Sequence, residues 1–344
     1  MNAHPPTERE RYCERIAPQH LKPLWEVLHA LVPPAPTTPM QPAHWRWREV
    51  RNAVHEAGAL ISAREAERRV LILENPGAPG QSCITRTLYA GLQLILPGEV
   101  APAHRHTQSA LRLVLEGEGA YTAVDGERTT MRRGDFIVTP RWTWHDHGNE
   151  GHQPVVWLDG LDIPLVQMLD AGFAEKAAVE VQRPLRPEGD VLARYGHNLL
   201  PMDHAPQPAE PTKLFVYPYA QTRAALAGVA RGQAPDPHDG HKLRHVNPAT
   251  GQAPMATIGT FAQWLPAGFE TRARRSTDGT VYCCLEGAGQ AQVGSASFGF
   301  EPNDVFVVPS WHALALHARR DTLLFSYSDR PVQQLLGLWR EERL

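Results

Sequence analysis

The sequence has no apolar run approaching the roughly 18 residues that a membrane-spanning helix needs. It also lacks a strong charge of either sign, since 34 Lys and Arg against 37 Asp and Glu leave a formal net charge of -3. A chain without a basic field does not draw nucleic acid or anionic lipid from a distance. Cysteine is scarce: Cys13, Cys83, Cys283 and Cys284 show no CxxC spacing, and adjacent Cys283 and Cys284 make an awkward disulfide. The opening stretch TERERYCERIAPQH alternates charges where a secretory leader would carry an apolar run. These absences lead to the expectation of a cytoplasmic protein that acts on a small molecule, with neither nucleic acid nor membrane as partner.

What is present suffices for two cores, because 344 residues at 42% hydrophobic exceed the size of one ordinary domain. Leu21, Leu24, Trp25, Leu28 and Leu31 recur at helical spacing, so the chain is expected to be helical from about Glu8 to Leu31 and again from about His44 to Leu60. From Arg69 onward short β-rich runs take over, among them VLILEN, ALRLVLEGEGAYTAV, GDFIVTP and VVWLDGLDI, punctuated by Gly and Pro as in sandwiches and barrels. A Pro-, His- and Gly-rich stretch follows, with one helix expected at AQTRAALAGVARG, before strand patterning resumes near Met255. The β-rich pattern occurs twice: LEGEGAYTAVDGERTTMRRGDFIVTPRWTWH opens at Leu115, and LEGAGQAQVGSASFGFEPNDVFVVPSWHALAL opens at Leu285. Two copies of one β-fold are therefore expected.

The first copy carries a metal-ligand pattern. His104 and His106 stand two apart on a strand, so both imidazoles share one face, and His145 follows the strand and turn that Gly134-Asp135 opens. A lone HxH is weak evidence, but HxH with the EGEG turn, GDxxxxP and a third histidine is demanding. These stretches resemble the two cupin motifs. A cupin first motif usually adds a glutamate after three or four intervening residues, where Ala110 and Leu111 stand here, so the site is expected to be three histidines without a carboxylate. In the second copy ARRS replaces HxH and Leu314 replaces the third histidine, with His312 out of register, so that copy is expected to be metal-free.

The stretch PAHRHTQSALRLVLEGEGAYTAVDGERTTMRRGDFIVTPRWTWHDHGN, continuing through VVWLDGLDIPLV, resembles gentisate 1,2-dioxygenases and, less closely, salicylate and 1-hydroxy-2-naphthoate dioxygenases. The resemblance implies a mainly β bicupin of two jelly-roll barrels. It divides the chain into an N-terminal helical segment (1–67), a catalytic cupin (68–183), a connector (184–254), a metal-free cupin (255–330) and a helical tail (331–344). It further implies one Fe(II) per chain, often a homotetramer, and O2-dependent cleavage of gentisate to maleylpyruvate between the carboxyl- and hydroxyl-bearing carbons. Salicylate or 1-hydroxy-2-naphthoate is the alternative substrate, and a non-catalytic small-molecule-binding bicupin the remote alternative.

Arg112 is out of place in LRLVL as a simple core residue, and if the strand through His106 continues it faces the metal; the resemblance makes it a clamp on the substrate carboxylate. Tyr89, Gly91 and Gln93 alternate on one face and are candidate substrate contacts, Gly91 leaving room for an aromatic ring. His147 shares the face of His145 and is a candidate for proton transfer. Asp159 is the candidate to orient Arg112 or His147, with Asp162 as the competing choice. The resemblance also places a substrate-binding arginine near Arg68, with Arg69 beside it.

Overall fold

The computed structural model describes residues 5–204 and 211–344 and divides into two units, 1–38 and 39–344. In the first unit α1 (Glu8–Ile16) is closed by a capping box, in which Thr7 accepts from Glu10 N–H and the Glu10 side chain accepts from Thr7 N–H. The single helix expected from Glu8 to Leu31 is not formed. Pro18 and Pro23 interrupt it, because proline removes an amide donor and drives the preceding residue out of the α region. Short 3-10 turns at Ala17–Gln19 and Leu24–Glu26 and a single turn, α2 (Leu28–Leu31), take its place.

In the second unit the first half of the chain contributes β2 (Val70–Ile72), β3 (Tyr89–Ile95), β4 (Val100–His106), β5 (Ala110–Glu116), β6 (Ala120–Val124), β7 (Glu127–Thr130), β8 (Phe136–Thr139), β9 (His145–Asn149), β10 (Val155–Leu161) and β11 (Ala174–Lys176). With β12 (Val216–Tyr217) they form a six-stranded sheet in the order β12-β8-β5-β10-β3-β2 and a five-stranded sheet in the order β11-β4-β9-β6-β7. The second half repeats the plan with β13 (His241–Arg244), β14 (Gly259–Leu265), β15 (Arg274–Ser276), β16 (Thr280–Glu286), β17 (Gly289–Val293), β18 (Ala296–Phe300), β19 (Val305–Val308), β20 (Leu314–Ala318), β21 (Thr322–Ser328) and β22 (Glu341–Arg343). Two jelly-roll barrels stand side by side, as the repeat implied.

Alternation along the strands sorts side chains into three cores. Leu111 and Leu113 of β5, with Leu92 and Leu94 of β3, pack with Val281, Cys283, Val307, Phe325 and Tyr327 and join the two six-stranded sheets. Val114, Ile137, Val155 and Trp157 fill the first barrel, and Tyr282, Phe300, Phe306 and Leu316 fill the second. Each fully buried aliphatic or aromatic side chain contributes roughly 1.5 to 3 kcal/mol by leaving water.

Two further segments depart from expectation. β1 (Ala43–Trp45) pairs with β19 of the second barrel, so the helix expected from His44 begins only at Trp47, as α3 (Trp47–Leu60). Asp304 sets that boundary by accepting Trp47 N–H at 2.7 Å and contacting His44 Nε2 at 3.1 Å. The C-terminal tail is helical only over Arg330–Leu335. Gly337, at φ 69°, ends the helix in the left-handed region, and β22 then pairs with β15 through Arg275–Glu342 and its neighbours. The helix expected at AQTRAALAGVARG is present over Tyr219–Gly232, and all four cysteines are free.

Candidate metal centre and its surroundings

His104 and His106 end β4 and point into the first barrel, whereas Arg105 between them points out, over the rings of Trp142 and Trp144 and against Glu175. β9 begins at His145, directly across from His104. The turn that delivers it holds Trp142 at φ 61°, with Trp142 N–H donating to His106 O at 2.8 Å. Trp311 has φ 63° in the second barrel, so the turn persists where the ligands are gone.

The three rings meet at centroid separations of 4.1, 4.8 and 5.3 Å, and one nitrogen from each lies within 4.8 Å of the others. His106 Nδ1 faces Gln108 O at 2.8 Å and His145 Nδ1 faces Thr143 O at 3.0 Å. A carbonyl can only accept, so both Nδ1 atoms carry the proton and both Nε2 atoms present lone pairs. His145 Nε2 is buried without a hydrogen-bond partner, as expected of a ligand atom waiting for a cation. Burial pushes His104 down to about 2, with Arg68 adding to it, and His106 down to about 4; burial also carries His145 well below the ordinary range. All three are therefore neutral ligands near pH 7. The donor set fits a divalent cation of the kind imidazole binds. Among the described residues no other group of three histidines, cysteines or carboxylates has this arrangement.

One expectation about the route to Arg112 is corrected. The strand does not run on past His106: the chain turns at 107–109, and Arg112 lies on β5 in the opposite sheet. It still faces the barrel interior, buried and aligned across the sheet with Asp159 and Gly91. Arg112 Nε lies 3.6 Å from Asp159 Oδ1, and its Nη1 donates to Thr139 Oγ1. Trp157 Nε1 donates to the same Asp159 oxygen at 3.0 Å. Burial raises Asp159 to about 6 against the opposing pull of Arg112, and lowers Arg112 itself. Asp162 is not part of this pair, because it lies just past the end of β10 and binds elsewhere.

Tyr89 and Gln93 flank Gly91 on β3, and a Cβ at Gly91 would fall 2.7 Å from the Tyr89 hydroxyl and 2.4 Å from Val70. Only glycine fits under that ring. His147 is fully buried, its Nδ1 3.0 Å from Thr122 Oγ1 and its Nε2 without a partner. Thr122, Thr139 and Trp157 were not singled out from the sequence. Trp157 carries one small signal, an indole two residues along its strand from Asp159, whereas Thr122 and Thr139 have only apolar strand neighbours at that spacing, Ala120, Val124 and Ile137.

Arg68 and Arg69 have different partners. Arg68 Nη2 donates to Pro102 O at 3.0 Å and meets the His104 ring. Arg69 points away, its guanidinium held by both Glu99 oxygens and by the carbonyls of Ile61 and Leu94. Glu99→Gln is expected to lower the unfolding free energy by about 3 kcal/mol, because Arg69 stays buried with its counter-charge removed. Arg68→Ala is expected to leave stability within about 0.5 kcal/mol of the parent. Denaturant titration of both variants checks the contrast, and equal stability losses would contradict it.

Fold and centre together define a bicupin that, among the described residues, has one three-histidine metal site with two arginines and one aspartate beside it. A hollow of about 630 Å³ at the junction of the barrels, lined by Ser109, Arg141, His245 and Arg330, contains none of these groups. Residues 91–161 match the cupin domain family. Gentisate 1,2-dioxygenase 1 of Aquipseudomonas alcaligenes is 50% identical over 336 residues, 98% of this chain and 96% of the relative. The 1-hydroxy-2-naphthoate 1,2-dioxygenase of Nocardioides sp. (strain KP7) is 36% identical over 97% of this chain and 87% of its own. Salicylate 1,2-dioxygenase from Pseudoaminobacter salicylatoxidans, solved as adducts with gentisate, superposes with a TM-score of 0.93 at 34% identity, covering 100% of this chain and 96% of that one. The chain belongs to the gentisate 1,2-dioxygenase family.

Proposed function

We propose that the first cupin (68–183) holds one Fe(II) on His104, His106 and His145 and opens the ring of gentisate with O2 to give maleylpyruvate, while the second (255–330) is a metal-free partner. The observation that carries this reading is the neutral three-imidazole cluster beside two arginines, Arg112 buried and Arg68 partly buried. Three neutral ligands leave a divalent ion its full charge. Arg68 and Arg112 against Asp159 add a net positive charge, so the site suits a chelating acid that brings negative charge with it. Bound iron(II) would supply Lewis-acid and oxygen-activating chemistry at its open positions.

The chain's own groups do the positioning. Arg112 grips the substrate carboxylate, held by Thr139 on one side and Asp159 on the other, and Arg68 neutralises the same charge. Tyr89 and Gly91 form a flat wall for the ring, and Gln93 offers a hydrogen bond to a ring substituent. His147, neutral and held through Nδ1 by Thr122, presents Nε2 to take the proton of a substrate hydroxyl. The test is anaerobic titration of the iron-loaded chain with gentisate. A one-to-one shift of the iron absorption that the Arg112 variants weaken supports the reading, and gentisate binding that is indifferent to iron contradicts it.

The Asp159–Arg112 pair sets a pH dependence. Asp159 is charged above about 6 and neutral below it, so kcat/KM should fall as pH drops through about 6 while Arg112 loses its anchor. The fold is not weakened by this protonation, because a carboxyl raised above its ordinary value of about 3.9 takes its proton more readily when folded. The acid limb should therefore be lost in Asp159→Asn, whose activity is low at every pH. An unchanged limb in that variant assigns it to another group.

We also propose a homotetramer in the cytoplasm. Leu335, Leu336 and Leu338 are 78, 63 and 60% exposed in one short stretch, which supports burial against another copy. Four free cysteines agree with a reducing compartment. Sedimentation at micromolar concentration tests the assembly, and a monomer would contradict it.

A further inference from the structure

Two aspartates, Asp162 and Asp329, sit at equivalent places just beyond the last long strand of each barrel, and each is buried. Asp162 Oδ1 accepts Ser109 N–H at 2.9 Å, and its Oδ2 accepts the Thr257 hydroxyl from the chain that leads into the second barrel. Asp329 Oδ1 accepts Gly279 N–H at 2.9 Å, and its Oδ2 accepts the Thr87 hydroxyl from the chain that leads into the first. Each barrel thus closes its own turn and reaches across to a threonine of the other.

The two clasps differ in what lies behind the gripped amide. The Ser109 N–H shares one planar peptide bond with the Gln108 carbonyl, and that carbonyl accepts the Nδ1–H of His106. The row reads Thr257 hydroxyl, Asp162 carboxylate, peptide 108–109, His106. Behind Gly279 the equivalent position holds Ser276, which has no ring to orient.

We propose that Asp162 is a positioning residue for the metal ligand His106, acting through the peptide bond between Gln108 and Ser109, and that Thr257 extends this control to the metal-free barrel. A carboxylate on the N–H polarises the peptide, so its carbonyl becomes a better acceptor and both fixes the ring and raises the donor strength of Nε2. Outer-shell groups that orient a ligating histidine in this way contribute about 10- to 100-fold to metal affinity. The second barrel is then a working part of the metal site and more than a covering for the first. This inference rests on the three-histidine centre being a metal site, and not on the identity of the substrate.

The experiment compares Thr257→Val, Asp162→Asn and Thr87→Val. Each is loaded with iron(II) under nitrogen and its metal transferred to a ferrous chelator. Amide exchange over residues 107–111 is followed separately in the metal-free chains. Thr257→Val and Asp162→Asn should release iron about tenfold faster than the parent, and the Ser109 amide should exchange faster. Thr87→Val should match Thr257→Val in lost thermal stability yet release iron at the parental rate. Equal release from the two threonine variants reduces the effect to general loosening between the barrels and overturns the proposal. So does an unchanged Ser109 amide in Thr257→Val, which is decisive even if the parent binds no metal, an outcome that would separately refute the metal centre.

Discussion

Replacing His104, His106 or His145 by alanine is expected to remove the metal and to lower turnover by at least about three orders of magnitude, while each chain stays folded. The first part follows from the donor set: two imidazoles without a carboxylate leave an incomplete ligand set for a first-row divalent ion, and stabilisation worth several kcal/mol at the reacting atoms goes with the metal. The second part follows from packing. The three rings project from the end of β4 and the start of β9 into the barrel interior, and the cores that hold the barrels together, around Leu111, Phe325, Trp157 and Tyr282, do not include them. Removing a buried neutral imidazole also removes a group that is costly to charge. Iron analysis and near-ultraviolet circular dichroism on the same samples check both parts, and global unfolding of all three variants would make the metal structural.

Arg112→Lys is expected to keep its metal but to lose about one to two orders of magnitude in kcat/KM. Lysine preserves the charge, yet an ammonium cannot bridge Thr139 and Asp159 while offering two parallel N–H groups to a carboxylate. A charge-assisted hydrogen bond in a buried site contributes roughly 1.5 to 3 kcal/mol, which gives that range. Arg112 lies across the barrel from the ligand strand rather than on it, so iron content should stay at the parental level. Parental efficiency would make Arg112 a scaffold residue, and loss of iron would make it a support of the metal site.

The metal ligands were legible because strand alternation and turn spacing act locally. His104 and His106 must share a face, and a turn of fixed length brings His145 opposite. Arg112 and Asp159 were legible because a charge within an apolar strand has few reasons to be there. Thr139, Trp157 and Thr122 were not, since a hydroxyl or an indole in a strand reads as ordinary core until its partner is known. The same limit hid β1, whose pairing with β19 joins residues far apart in the chain, and the clasp between Asp162 and Thr257. Helical spacing over Glu8–Leu31 was real, but Pro18 and Pro23 outweighed it. Asp162 was weighed against Asp159 for Arg112. Strand register decides between them, because Asp159 lies directly across from Arg112 and Asp162 has left the sheet.

The most direct measurement is oxygen uptake by the chain reconstituted anaerobically with one equivalent of iron(II), with gentisate, salicylate and 1-hydroxy-2-naphthoate compared side by side. Ring cleavage at the three-histidine centre predicts one O2 consumed for each gentisate opened to maleylpyruvate, with slower uptake on the two acids that lack the second activating hydroxyl. It predicts no uptake by the metal-free chain or by the His145→Ala variant. Uptake that persists without the metal, or iron bound at the three histidines with no oxygen consumed on any of the three acids, would contradict it.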